Sequence, residues 1–128
     1  MKIVIEIAPG ELIDRLSILE IKLARIKDEA KLKNVRHEYE LTMRERRKLA
    51  STGTELEHLA AELKAVNEKI WKIEDDIRDL ERNRSFGDSF VALARSVYQT
   101  NDKRADVKRR INELLNSTLV EEKSYSAY

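Results

Sequence analysis

The chain has 128 residues, and 38% of them are charged, with 25 basic against 24 acidic side chains for a net charge of +1. This length suits one domain that buries roughly two thirds of its unfolded surface, and the charge balance argues against a nucleic-acid binder, which needs a strong basic excess. With no cysteine there is neither a disulfide framework nor thiolate chemistry.

The opening residues, MKIVIEIAPGE, alternate in polarity. Ile3, Ile5 and Ile7 fall on one side, and Lys2, Val4 and Glu6 on the other, which predicts a short β-strand over 2–7 ended by Pro9-Gly10. A lone strand needs a partner for its backbone groups. The tail near 118–124 and the same strand of a second subunit are the two options. The apolar run is too short for a signal peptide, and Glu6 interrupts it. No stretch reaches the roughly 18 apolar residues of a membrane span. A cytoplasmic protein is the default expectation.

A first helix is expected over 11–50, since neither Pro nor Gly occurs between Glu11 and Gly53. Leu12, Leu16, Leu19, Leu23, Ile26 and Ala30 form one apolar seam. Leu32, Val35, Tyr39, Thr42, Arg46 and Leu49 form another that is out of phase with it. The residues between, 28–33, are where the buried face rotates or the helix breaks. An unbroken helix would be ~58 Å long at 1.5 Å per residue, more than its neighbours can cover, so a break, a bend or a protruding hairpin is expected.

Ser51-Thr52-Gly53 reads as a turn. Thr54 with Glu57 three residues on has the capping-box pattern for a second helix over 55–82. Its stripe of Leu56, Leu59, Leu63, Val66, Ile70, Ile73, Ile77 and Leu80 alternates spacings of three and four without a miss. A loop over 83–87 follows. Asp88 or Ser89 then caps a third helix over 89–115, which Asn116 and Ser117 end. The tail, 117–128, carries two tyrosines, and Leu119 and Val120 favour partial docking on the bundle. The expected fold is therefore all-α: one domain over 1–128, an antiparallel bundle of three main helices, the first broken or bent, with a short N-terminal strand. The overlong first helix and the clean stripe of the second offer more apolar surface than three helices bury. A homodimer or another homo-oligomer is expected.

The candidate site is polar. On the third helix Phe90, Ala94 and Val97 are continued by Asn101, Arg104 and Lys108, one polar and two charged side chains where a seam should be apolar. A second stripe on the second helix, Asn67, Trp71, Glu74 and Arg78, shares one face. Buried cations need partners. Of the available acids Glu74, Asp76, Asp14 and Glu20, either Glu74 or Asp76 is expected to pair with Arg104 or Lys108. Such clusters most often fix register in a bundle. In the alternative they bind a nucleotide or nucleotide sugar: Trp71 stacks a ring, Asn67 and Asn101 add polar contacts, Arg104 and Lys108 hold phosphates, and Glu74 or Asp76 takes Mg²⁺ or a hydroxyl.

Other chemistry is thinly supported. Glu11 and Asp14 have the Glu-x-x-Asp form of helical Mg²⁺ sites, but a second pair is missing, and acids at a helix start are favoured by its dipole. His37 and His58 have no zinc-ligand spacing. The basic runs 44–48 and 108–110 lack interleaved aromatics, so neither argues for nucleic acid. No catalytic residue, metal ligand or cofactor is assigned.

The strings PGELIDRLSILEIKLARI, LKAVNEKIWKIEDDIR and ARSVYQTNDKRADVKRRINELL, with the LVEEKSY tail, resemble a small bacterial family catalogued as a domain of unknown function. The resemblance spans nearly the whole chain. Members are often encoded near surface-polysaccharide glycosyltransferases, which implies a cytoplasmic accessory role in polysaccharide or sugar-nucleotide metabolism; the expected function is a non-enzymatic accessory or interaction module of surface-polysaccharide biosynthesis, with a protein partner in that assembly. No activity or functional residue comes with it.

Overall fold

The computed structural model describes residues 1–49 and 53–128. It contains four helices: α1 (Pro9–Arg25), α2 (Glu29–Arg46), α3 (Glu55–Arg82) and α4 (Asp88–Leu114). α1 packs against each of the other three, and α3 packs along α4. No helix among the described residues is long and apolar enough to cross a membrane.

Two expectations are corrected. There are four helices rather than three, because the first predicted helix is two. The chain leaves α1 at Ile26, whose backbone is extended (φ −75°, ψ 133°). The Asp28 carboxylate then accepts the backbone N–H groups of Ala30 and Lys31 at 2.9 and 3.2 Å and starts α2. Each half can thus turn its own seam inward. Val35 is buried, and Leu32, Tyr39, Thr42, Arg46 and Leu49 are half-buried. The Ser51-Thr52 part of the predicted turn lies outside the described residues; Gly53 is left-handed (φ +70°).

The second correction is the N-terminal strand. Residues 1–8 form no β-structure, and the described residues contain no strand at all. The tail that was the in-chain candidate to pair with this segment lies against α4 instead. Glu121 reaches Lys108, and the Tyr128 hydroxyl donates to Asp102 at 2.6 Å.

Local chemistry also departs from the predicted caps. Thr54 makes no side-chain cap, and Glu57 accepts from Arg46 at 2.7 Å instead, bridging α2 to α3. Gly87, rather than Asp88 or Ser89, precedes α4, also without a side-chain cap. Both C-termini close by the same device. Arg84 (φ +53°) and Asn116 (φ +52°) turn left-handed. Ser85 and Ser117 donate back to the Leu80 and Asn112 carbonyls, at 2.9 Å each. This is the double-bonded end in which orphan carbonyls find partners.

Ile13, Leu56, Leu59, Leu63, Val107 and Ile111 make the central cluster. Only the first half of the α3 stripe is in it. Further along the stripe Ile73 is buried, and Val66, Ile70, Ile77 and Leu80 are half-buried. α1 is buried almost all round through its first turns: Gly10, Leu12, Ile13, Asp14, Leu16 and Ser17 are all inside.

Gly10 sets how closely α1 approaches α4. A Cβ there would lie 2.4 Å from the Lys108 carbonyl oxygen and 2.8 Å from Asn112 Oδ1. At an open helical site Gly→Ala stabilises by about 0.5–1 kcal/mol. Here the obstacle is helix backbone, which must move. Gly10→Ala is expected to cost about 1–3 kcal/mol, the usual penalty of overpacking, as measured by urea denaturation.

Candidate functional site

Asp14 projects from the second turn of α1 into the junction with α3 and α4, where it is 1% exposed. An isolated carboxylate there would be prohibitive. Arg104 on α4 meets it with a two-pronged fork, Nε to Oδ1 at 2.9 Å and Nη2 to Oδ2. Asn67 on α3 donates through Nδ2 to Asp14 Oδ1 at 2.9 Å and to Ser17 Oγ at 2.7 Å. The Ser17 hydroxyl donates to the Asp14 carbonyl at 2.8 Å. One cluster therefore ties α1, α3 and α4. The hydrogen bonds that Arg104 donates to Asp14, with the charge of that carboxylate, raise the Arg104 pKa above its ordinary value despite burial.

A turn further along α4, Lys108 is 7% exposed. Its ammonium donates to Glu11 Oε2 at 2.9 Å and lies 2.8 Å from Glu121 Oε2 in the tail. Burial alone lowers the Lys108 pKa, but hydrogen bonds to Glu11 and Glu121 outweigh it and the net shift is upward. Burial likewise raises Glu11, yet hydrogen bonds from Lys108 and Arg15 prevail and hold it below 4.5. Next to this, Asn112 Oδ1 accepts the Gly10 N–H at 2.7 Å. That N–H is one of the orphan donors of the α1 N-terminus, so α4 caps α1 from outside. A cleft of about 480 Å³ opens here between α4 and the tail, with Lys108, Arg109, Asn112 and Glu121 on its walls.

Of the six residues singled out, the structure brings Asn67 and Arg104 together on Asp14 and sets Lys108 beside them. Trp71 is half-buried one turn beyond Asn67, and Asn101 is half-buried beside the fully enclosed Thr100. Glu74 is ion-paired with Arg78 on its own helix, and Asp76 with Lys72 at 2.9 Å. Neither meets Arg104 or Lys108. The acids that do are Asp14, which was among the four available, Glu11 and Glu121. Ser17 and Asn112 were not singled out. They are small polar residues on otherwise apolar faces, and only that interruption marks them. Among the described residues no group of three or more acids, histidines or cysteines converges as a metal site. Glu11 and Asp14 turn to separate cations.

In the tail, Tyr128 stacks edge-on against Tyr98 with centroids 5.0 Å apart, and Lys123 lies 5.5 Å over the Tyr125 ring. The hydrogen bond to Asp102 raises the Tyr128 pKa. The tail is thus an arm laid back along α4 through the Tyr128 contacts with Asp102 and Tyr98, although Tyr125 and Tyr128 both stay exposed.

Fold and cluster together define a helical protein whose charged seam is matched within the chain. The chain belongs to the Family of unknown function (DUF6165), whose model it matches over residues 1–128. No curated protein and no solved structure matches it.

Two outcomes are expected. Arg104→Met leaves Asp14 buried without its counter-charge and costs about 3–5 kcal/mol. Adding Asp14→Leu to it recovers part of that loss, giving clear non-additivity in a denaturation cycle. Glu11, with its folded pKa below 4.5, contributes stability that is complete above 4.5 and disappears as pH falls through the folded value. Lys108, raised above 10.5, contributes below 10.5 and loses it as pH rises through its folded pKa. Melting temperature should therefore drop at both extremes, with Glu11→Gln flattening the acid limb.

Proposed function

We propose that this protein is a non-enzymatic helical interaction module. The supporting observation is that the seam consumes its own charges. Asp14, Glu11 and Glu121 face Arg104, Lys108 and Arg15, so three carboxylates match three cations. A phosphate-binding site needs cations left over for the ligand, and a catalytic acid or base needs a group free to exchange a proton. Neither is left in this cluster. The residues of the nucleotide reading are also divided: Glu74 and Asp76 are engaged along α3, away from the cations that were to share a ligand with them.

Exposed large apolar side chains, by contrast, gather in the N-terminal segment and the tail: Ile3, Val4, Ile5, Leu119 and Val120. Segments of that kind mark surfaces that meet another molecule. The setting that the family resemblance implies, accessory work in surface-polysaccharide assembly inside the cell, agrees with a binding role and requires no chemistry of the chain itself.

The test is a thermal-shift panel of nucleotides, nucleotide sugars and phosphosugars, with and without Mg²⁺. A ligand at about 100 times its dissociation constant adds about 2.7 kcal/mol, several degrees for a domain of this size. A flat panel, with Lys108→Met only less stable, is the expected result. A shift that Lys108→Met abolishes while the protein stays folded would replace this reading with a ligand site. The polysaccharide setting has its own check: removing the protein from its native cell should change the amount or chain length of surface polysaccharide.

A further inference from the structure

Residues 119–128 form neither helix nor strand, and side chains hold them along α4. Glu121 lies 2.8 Å from the Lys108 ammonium, and Glu122 lies 4.0 Å from Arg109. Further along, Lys123 is 3.7 Å from Asp102, and Tyr128 meets Asp102 with its hydroxyl and Tyr98 with its ring. Ion pairs this exposed contribute little each, and salt screens them. The apolar side chains of the segment add little more, since Val120 is 63% exposed and Tyr125 83%.

The tail also fits its seat incompletely. The cleft of about 480 Å³ between it and α4 stays open. Asn112, buried to 8%, turns Oδ1 to the Gly10 N–H, which directs its amide Nδ2 away from Gly10. Asn112 lines the cleft and Gly10 does not. That Nδ2 donates to no acceptor among the described residues, and a buried donor without a partner is costly. Glu121 is moreover exchangeable, because Lys108 keeps Glu11 at 2.9 Å without it. With Glu121 withdrawn, Asp14 and Glu11 face Arg104, Lys108 and Arg15, two carboxylates against three cations. The seam then has a cation in excess, which calls for a carboxylate from elsewhere.

We propose that the α4 face from Lys108 to Tyr98 docks an acidic segment of a partner protein, and that the chain's own tail occupies this face as a placeholder. The tail shows the chemistry required, Val-Glu-Glu followed by a tyrosine. An incoming segment supplies carboxylates to Lys108 and Arg109 and an aromatic ring to Tyr98. It gains on the tail by filling the cleft with an apolar side chain and offering a backbone carbonyl to Asn112 Nδ2. Tyr98 lies ten residues before Lys108, ~15 Å along the helix at 1.5 Å per residue. An extended segment crosses that distance in about five residues, so the acidic pair and the ring stand about that far apart in the partner. A tethered competitor lowers the affinity of any outside segment by the fraction of time the face is covered. Docking is therefore conditional on release of the tail.

This inference deepens the interaction-module reading and rests on it, but its test reads a different quantity. The probe is a fluorescent peptide carrying residues 117–128, followed by anisotropy against the full-length protein, with circular dichroism to confirm unchanged helix. Glu121→Gln with Glu122→Gln in the protein loosens its own tail. The peptide is expected to bind this variant roughly tenfold or more tighter than the original protein, because the face is free for a larger fraction of the time. Trypsin should cut after Lys123 correspondingly faster. Arg109→Glu or Tyr98→Ala, added to the loosened variant, should remove most of the peptide binding, as should the same two glutamines placed in the peptide.

A peptide that binds neither protein overturns the proposal. So does equal binding to both, or binding indifferent to Arg109→Glu and Tyr98→Ala, which would put the site elsewhere. Displacement of the peptide by inorganic phosphate at constant ionic strength would make the face a general anion site and overturn the assignment to a protein segment. A nucleotide-dependent thermal shift lost in Lys108→Met would overturn the interaction-module reading, whereas failure of the peptide alone leaves that reading standing.

Discussion

Everything in the centre of this molecule depends on keeping the Asp14 carboxylate out of water at a tolerable cost. A charge that is 1% exposed demands a counter-charge with correct geometry. Arg104 supplies both of its parallel hydrogen bonds from α4, and Asn67 adds one from α3. Each donor comes from a different helix. The requirement to satisfy one carboxylate therefore fixes how α1, α3 and α4 lie relative to one another. An apolar core could slide by a turn at modest cost. This cluster cannot, because any slip strands a buried charge.

The close approach at Gly10 belongs to the same constraint. Asp14 is one turn along α1 from Gly10, and Arg104 is one turn along α4 from Lys108. With no Cβ at Gly10, the α1 backbone comes against the Lys108 carbonyl. At that separation Asn112 can accept the Gly10 N–H, and Lys108 can reach Glu11. The tail then completes the seam, since Glu121 gives Lys108 its second carboxylate. A line of polar contacts thus runs from the buried junction to the surface. That continuity explains why the cations of α4 were visible in the sequence as a flaw in an apolar stripe. It also explains why they are poorly suited to holding a mobile ligand.

Much of the candidate cluster was legible, and the part that was not has a physical reason. Asn67, Arg104 and Lys108 interrupt helical stripes, and periodicity alone exposes them. Their partners were assigned to Glu74 and Asp76 because those acids sit on a neighbouring helix at a plausible height. The chain has 24 acids, and stripe analysis of one helix says nothing about which turn of another lies opposite. Short-range competition decides the matter: Glu74 and Asp76 each have a cation four residues away on their own helix. Asp14, one turn from the helix start, looked like an acid answering the helix dipole, while its neighbours in space were invisible. The Thr54 cap is absent because its backbone is helical (φ −88°, ψ −12°) rather than extended, and Glu57 turns to Arg46.

The sequence by itself determined the helical character of the chain, the seams of α1 and α2 and their phase difference, the sites where α3 and α4 end, and the polarity of the α4 stripe. These follow from side-chain period and from a few residues with strong local preferences, which act within a turn or two. Tertiary structure decided that the phase difference becomes a clean break at Ile26–Asp28, and that the N-terminal segment forms no strand within the chain. It also decided that Asp14 and Glu11 answer the cations of α4. Those outcomes depend on which groups meet across roughly fifty to a hundred residues of chain, as from Asp14 to Asn67 (53) or to Arg104 (90). Only the packing of α1 between its neighbours brings such distant groups within hydrogen-bonding distance.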